Sequence, residues 1–142
     1  MSKLILTVDD SASMRMLLKT SLTAQGFTIE GANDGIHGLE RIQEVNPDLL
    51  ITDVRMPEMD GFGLVEGLRA LPRHKRLPVI CLSSVSHRDD VERMIKSGVS
   101  DYVLKPVKPG ELADRLHTVT RRERYWKTLR ERGETTARSS VR

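Results

Sequence analysis

Asp9 and Asp10, Asp53, Ser83 and Ser84, and Lys105 each come directly after a short apolar run: Leu4–Val8, Leu49–Thr52, Val79–Leu82 and Tyr102–Leu104. Brought within a few ångströms of one another, the three carboxylates would repel, and an unpartnered group would take up a proton. A divalent cation relieves that repulsion. Hard oxygen donors with water in the remaining positions suit Mg²⁺ better than Zn²⁺. Lys105 adds a compact positive charge for an oxyanion, and Ser83 adds a hydroxyl donor. Cation, ammonium and hydroxyl around one carboxylate suit phosphoryl transfer, where positioning and charge stabilisation supply most of the catalysis. Asp53 would then be the nucleophile, giving an acyl phosphate. Taken singly, an aspartate pair after a strand also reads as a helix N-cap, and two serines read as loop polarity. Their coincidence at four run ends favours the joint reading.

The elements that must position these groups are legible as an alternation. The run at 4–8 lacks polar alternation and reads as a strand buried on both faces. Residues 11–24 place Met14, Leu17, Leu18 and Leu22 on one helical stripe, which Gln25-Gly26 ends. Phe27–Glu30 reads as a second strand. Asp34 caps a helix carrying Ile36, Leu39, Ile42 and Val45, and Asn46-Pro47-Asp48 is a turn. After the third strand at 49–52 come a loop from Asp53 to Asp60 and a helix over Gly61–Leu71, packing through Leu64, Val65 and Leu68. A basic, proline-bounded connection, Pro72–Pro78, leads to a fourth strand. Ser86-His87-Arg88-Asp89 resembles a capping box, opening a helix with Val91, Met94 and Ile95 that ends at Ser97-Gly98. A fifth strand precedes a last helix, with Pro109 in its first turn and Leu112, Leu116 and Val119 inward. Five strand–helix units predict an α/β fold, a doubly wound parallel sheet with helices on both faces. In such sheets ligands bind outside the carboxyl ends of the strands, where strand order reverses.

Composition narrows the function classes. In 142 residues, 38% are apolar, enough for one folded core. No run approaches the roughly 18 apolar residues of a membrane span, and MSKLILTVDD lacks the order of a signal peptide. A cytoplasmic protein is expected. Cys81 alone cannot form an internal disulfide, and it shows no zinc spacing with His37, His74, His87 or His117. Net charge is +3, but residues 121–142 hold eight Lys/Arg and three Glu, leaving residues 1–120 net acidic. A nucleic-acid face on the domain itself is therefore not expected. Gly61, Gly63 and Gly67 have neither the spacing nor the place of a dinucleotide loop. Asp53-Val54-Arg55 lacks the second aspartate of a D-x-D phosphatase loop. Cys81, inside a strand pattern, reads as inert core, and His87 as a solvated first-turn residue.

The motifs V-D-D-S at 8–11, D-V-R-M-P-E-M-D-G at 53–61, P-V-I-C-L-S-S at 78–84 and D-Y-V-L-K-P at 101–106 resemble those of response-regulator receiver domains of two-component signalling. The resemblance covers roughly residues 3–120 and is nearest to the single-domain chemotaxis type. It implies a flavodoxin-like strand order 2-1-3-4-5. By this resemblance Asp53 is the phosphoacceptor, and Asp9 and Asp10 help hold Mg²⁺ together with Asp53 and the backbone carbonyl of Arg55. Lys105 and Ser83 contact the phosphoryl group, Ser83 and Tyr102 form the switch, and the Lys105–Pro106 bond is cis. The donor would be a sensor histidine kinase or a phosphotransfer protein. The output would be a face of helix 4, strand 5 and helix 5 presented to a downstream protein. Such a chain is a switch rather than an enzyme, assisting only its own phosphorylation and dephosphorylation.

Arg55 and Val85 fall where related receivers vary, two residues past the acceptor and the hydroxyl, and are candidates for tuning phosphate lifetime. The extension over 121–142 is expected to be helical in its first part and disordered after 133. Trp126 and Leu129 are candidates for docking a partner or a second copy of the chain. A rival reading is a phosphorylation-independent adaptor or nucleic-acid binder acting through this basic tail. Salt-dependent binding that persists in Asp53→Ala would mark it.

Overall fold

A computed structural model describes residues 3–84, 87–108 and 110–131, with side chains as far as residue 121. The order is β1 (Leu4–Val8), α1 (Ala12–Thr23), β2 (Thr28–Ala32), α2 (Gly35–Val45), β3 (Leu49–Thr52), α3 (Gly61–Arg69), β4 (Val79–Ser83), α4 (Arg88–Lys96), β5 (Asp101–Leu104) and α5 (Glu111–Glu131). All pairings are parallel, and the strand order is β2-β1-β3-β4-β5. The expected doubly wound α/β fold and its strand order are thus the observed ones.

Successive side chains on a strand point to opposite faces, and here both faces are covered. Leu6, Val8, Leu50, Val79 and Cys81 pack on one face with Phe62, Leu64 and Met94. Ile5, Leu49, Ile51, Ile80 and Leu82 pack on the other with Leu18, Leu22, Leu112, Leu116 and Val119. That double burial is why the runs show no polar alternation.

The helix starts reflect side-chain chemistry. Ser11, Asp34 and Asp60 each accept a backbone N–H in the first turn of α1, α2 and α3, from Met14, His37 and Gly63. Ser11 thereby takes the cap of α1 and leaves Asp9 and Asp10 for another purpose. Ser86, expected to open a capping box, lies outside the described residues; α4 begins at Arg88, and its cap position is His87, with no side-chain cap bond. Asp89 then falls one position short of closing such a box. α5 spans Glu111–Glu131, and Pro109, expected in its first turn, lies outside the described residues. The second strand is Thr28–Ala32, with Phe27 buried just before it, and α3 stops at Arg69.

Three apolar positions on the helical stripes face outward. Leu17 is 58% exposed, Ile36 46% and Ile95 53%. Each helix residue turns about 100° from the last, so Leu18 and Leu22 face the sheet while Leu17 lies on the flank of α1. On α2 glycines hold the contact face: a Cβ on Gly35 would stand 2.3 Å from the Met59 carbonyl oxygen, and one on Gly38 2.9 Å from Val8 Cγ2. Close approach of the backbone there turns Ile36 away. On α4 only Met94 is fully buried.

Candidate functional site

Strand register places the site. Val8 pairs with Thr52 across β1 and β3, so the next residues, Asp9 and Asp53, leave the sheet side by side. The Asp53 N–H donates to the Val8 carbonyl (3.0 Å), and the Asp9 N–H to that of Ala32 (3.2 Å). β1 lies between β2 and β3, so this is the point where the strand order reverses. On the far side of β4, Ser83 pairs with Leu104, and the Lys105 N–H donates to the Ser83 carbonyl (2.9 Å). The residues just past each strand are thereby delivered to one edge.

Carboxylate oxygens of Asp9, Asp10 and Asp53 lie within 4.8 Å of one another. Asp9 is 3% exposed and Asp53 9%, while Asp10 is exposed. Lys105 Nζ bridges the buried pair, 2.9 Å from Asp9 Oδ2 and 3.2 Å from Asp53 Oδ2. Asp9 Oδ1 accepts the Ser11 N–H (2.9 Å), and Asp53 Oδ1 accepts the Val54 N–H (2.7 Å). A single ammonium therefore stands against three carboxylates gathered in one cleft. An all-oxygen, acid-rich donor set open to water on the Asp10 side fits a hard divalent cation such as Mg²⁺.

Burial by itself would lower the Lys105 ammonium, but its hydrogen bond to Asp9 and the charges of Asp53 and Asp9 outweigh it. The net direction is upward from 10.5. Ser83 is fully buried at the end of β4. Tyr102, half-buried on β5, is pushed up chiefly by burial, then by Cys81, against an opposing hydrogen bond with the Ser83 hydroxyl; Asp90 and Asp53 raise it further. Burial, reinforced by Asp53 and opposed by Lys105, pushes the Cys81 thiol far above its usual range. That thiol is core, not a nucleophile.

Arg55 is exposed in the β3–α3 loop and forms an ion pair with Asp90 of α4, 2.7 Å between Nη2 and Oδ2. The Lys105–Pro106 peptide is cis. Val85 lies outside the described residues, and Trp126 and Leu129 fall within α5 where only the backbone is described. The expected disorder after residue 133 also concerns residues outside the description. Two contributors went unread in the sequence: Arg15, whose guanidinium donates to the Asp9 carbonyl, and Asp90. Arg15 lies four residues past the α1 cap, one turn into the helix, and that spacing was the available signal. Asp90 offered none beyond its charge.

Val54 comes next after Asp53 and is fully buried, and the single tryptophan is Trp126. Titration with Mg²⁺ is therefore expected to change intrinsic tryptophan fluorescence little, because the residue beside Asp53 is a valine and not an indole. A large quench in wild type that vanishes in Asp53→Asn would contradict this.

Residues 5–117 match the family model for the response regulator receiver domain. The chain belongs to that family. Over 118 residues this receiver is 36% identical to a probable transcriptional regulator ycf27 of Porphyridium aerugineum, covering 83% of the chain and 48% of that relative. It thus spans about half the length of that regulator. Over 122 residues it is 32% identical to the chemotaxis protein CheY of Thermotoga maritima, covering 85% of the chain and 100% of that protein. Among solved structures, it resembles the receiver domain of sensor histidine kinase PA1611 from Pseudomonas aeruginosa PAO1, with TM-score 0.78 and 27% identity. That match covers 84% of the chain and 98% of the neighbour, and the neighbour has a magnesium ion coordinated in its active site cleft. Receiver domains are signalling modules, and among the described residues no helix is long and apolar enough to cross a membrane.

Proposed function

We propose that this receiver is a phosphoacceptor switch in which Asp53 takes a phosphoryl group from a phosphohistidine on a sensor kinase or phosphotransfer protein. The observation that carries this is the Lys105 ammonium bridging two buried carboxylates, Asp9 and Asp53, beside an exposed third, Asp10. In the transfer, an Asp53 oxygen forms the new P–O bond as the donor's P–N bond breaks, and the imidazole leaves with a proton. Asp9, Asp10, Asp53 and the Arg55 carbonyl would hold Mg²⁺, which neutralises charge on the transferring group. Lys105 offers its donors to a phosphoryl oxygen from the position where it now meets Asp53 Oδ2. The Val54 N–H keeps the other Asp53 oxygen in place.

The readout begins at Ser83. Its hydroxyl has one proton to donate, and that hydroxyl now bonds the Tyr102 phenol. A phosphoryl oxygen on Asp53 is the stronger acceptor. Once the Ser83 proton turns to it, Tyr102 repacks on the face of α4, β5 and α5. That face, with Ile95 and Leu104 exposed, is then offered to a downstream protein. The charge change at one carboxylate thereby biases a two-state element.

Intact-mass spectrometry after incubation with acetyl phosphate tests this. Wild type is expected to gain one phosphate only with Mg²⁺, and Asp53→Asn to gain none. Uptake by Asp53→Asn, or none by wild type, would overturn the reading.

A further inference from the structure

Polar contacts help hold the helix α4 to the body of the domain. Of its residues only Met94 is fully buried. Toward its C-terminal half, the Arg93 guanidinium lies 4.0 Å from the centre of the Phe62 ring, and it pairs with Glu66 of α3 at 3.6 Å. Among the described residues, an ion pair between Arg55 and Asp90, across 35 residues of sequence, ties the first turn to the body. His87 provides no side-chain cap there. The first turn of α4 therefore depends on an arginine that stands two residues beyond the acceptor Asp53.

That arginine has a competing attraction. Its side chain is 60% exposed and that of Asp90 20%, so the pair is partly screened by water and individually weak. A phosphoryl group carries about −1.5 to −2 charge and three acceptor oxygens. The planar guanidinium fork binds such a group at two oxygens at once. A carboxylate on α4 cannot match that charge.

Building on the acceptor reading of Asp53, we propose that Arg55–Asp90 is a latch. It clamps the first turn of α4 to the β3–α3 loop while Asp53 is unmodified, and a phosphoryl group on Asp53 opens it by drawing Arg55 onto its own oxygens. With the pair open, the first turn of α4 loses that tie to the β3–α3 loop. The latch makes the charge on Asp53 felt at α4 by a route separate from the Ser83 hydroxyl.

Hydrogen exchange of the 88–96 segment, read by mass spectrometry on the full chain, tests this. The proteins are wild type, Asp90→Asn, Arg55→Gln and Asp89→Asn, each with and without acetyl phosphate and Mg²⁺. Asp89 is also acidic and in the first turn, so Asp89→Asn removes the same favourable charge at the helix start and keeps the pair. Unmodified Asp90→Asn and Arg55→Gln are expected to exchange about two- to fivefold faster than wild type in α4. Asp89→Asn, which loses the helix-start charge but keeps the pair, should rise less than Asp90→Asn, which loses both. Phosphorylated wild type should reach the rate of the unmodified latch variants, and phosphorylation should add little to theirs. Wild-type rates in unmodified Asp90→Asn and Arg55→Gln would overturn the clamp. Unchanged α4 exchange in wild type that has gained a phosphate would overturn the trigger. Intact mass on the same samples scores the acceptor reading separately: no phosphate gain in wild type removes that reading and the trigger with it, while the unmodified variants still judge the clamp.

Discussion

Lys105→Met is expected to destabilise the metal-free protein by about 2–3 kcal/mol and to slow phosphate uptake from acetyl phosphate by roughly 100-fold. The stability loss arises from the charges methionine leaves behind. Asp9 and Asp53 are nearly buried, and Lys105 Nζ is the cation between them, at 2.9 and 3.2 Å. Removing one partner of a buried pair leaves uncompensated charge, which costs more than the pair itself contributes. The figure is held below the fully buried limit because the Lys105 side chain is 17% exposed. Added Mg²⁺ should recover more stability in the variant than in wild type, since a cation among the same oxygens takes over the lost screening. The pH dependence has a definite sign. The folded-state Lys105 is raised above 10.5, so its contribution is complete at neutral pH and is lost as the pH rises through the folded value. Urea denaturation should thus show the two proteins farthest apart near pH 7 and converging only above about pH 10.5. Equal stabilities at pH 7 would show that the bridge is not a folding contact.

Gly61→Ala is expected to cost about 3 kcal/mol or more and to impair the site, whereas Gly63→Ala is expected to change stability by less than about 1 kcal/mol. Both glycines are in the first turn of α3, where an alanine is ordinarily the better helix former. They differ in what a methyl group meets. At Gly61 it would stand 2.2 Å from the Asp53 carbonyl oxygen and 3.0 Å from the Val54 Cα. Backbone cannot step aside there, because the Gly61 N–H is bonded to the Val54 carbonyl at 2.8 Å. At Gly63 the neighbour under 3 Å is Met59 Cγ, part of a flexible side chain. The clash at Gly61 is with Asp53, the proposed acceptor, so the variant should lose phosphate uptake as well as stability. Chemical denaturation and intact mass on both variants check the contrast, and a stable, phosphorylatable Gly61→Ala would refute it.

These two residues also mark how far the sequence could be read. The parallel sheet was legible because Leu4–Val8, Leu49–Thr52 and Val79–Ser83 are covered on both faces, and double burial writes an unbroken apolar run. The charged residues were legible as a site because each stands immediately after such a run, and parallel strands carry the residues at their carboxyl ends to one edge. The outward faces were not legible. Periodicity marks a stripe on a helix without marking which part of it meets the sheet, so Leu17, Ile36 and Ile95 could not be told from their buried neighbours. The clash at Gly61 was hidden too, since a glycine's letter says nothing of the backbone lying opposite it.

By itself, the sequence determined the element types, the doubly wound class and the acidic groups at the strand ends, because these depend on local pattern and on chain direction. The tertiary structure alone decided that Val8 meets Thr52, that Lys105 reaches Asp9 and Asp53 across 96 and 52 residues, and that Arg55 finds Asp90 across 35. Register and the meeting of long polar side chains are set by packing between segments far apart in the chain. An isolated charge carries no period from which its distant partner could be inferred.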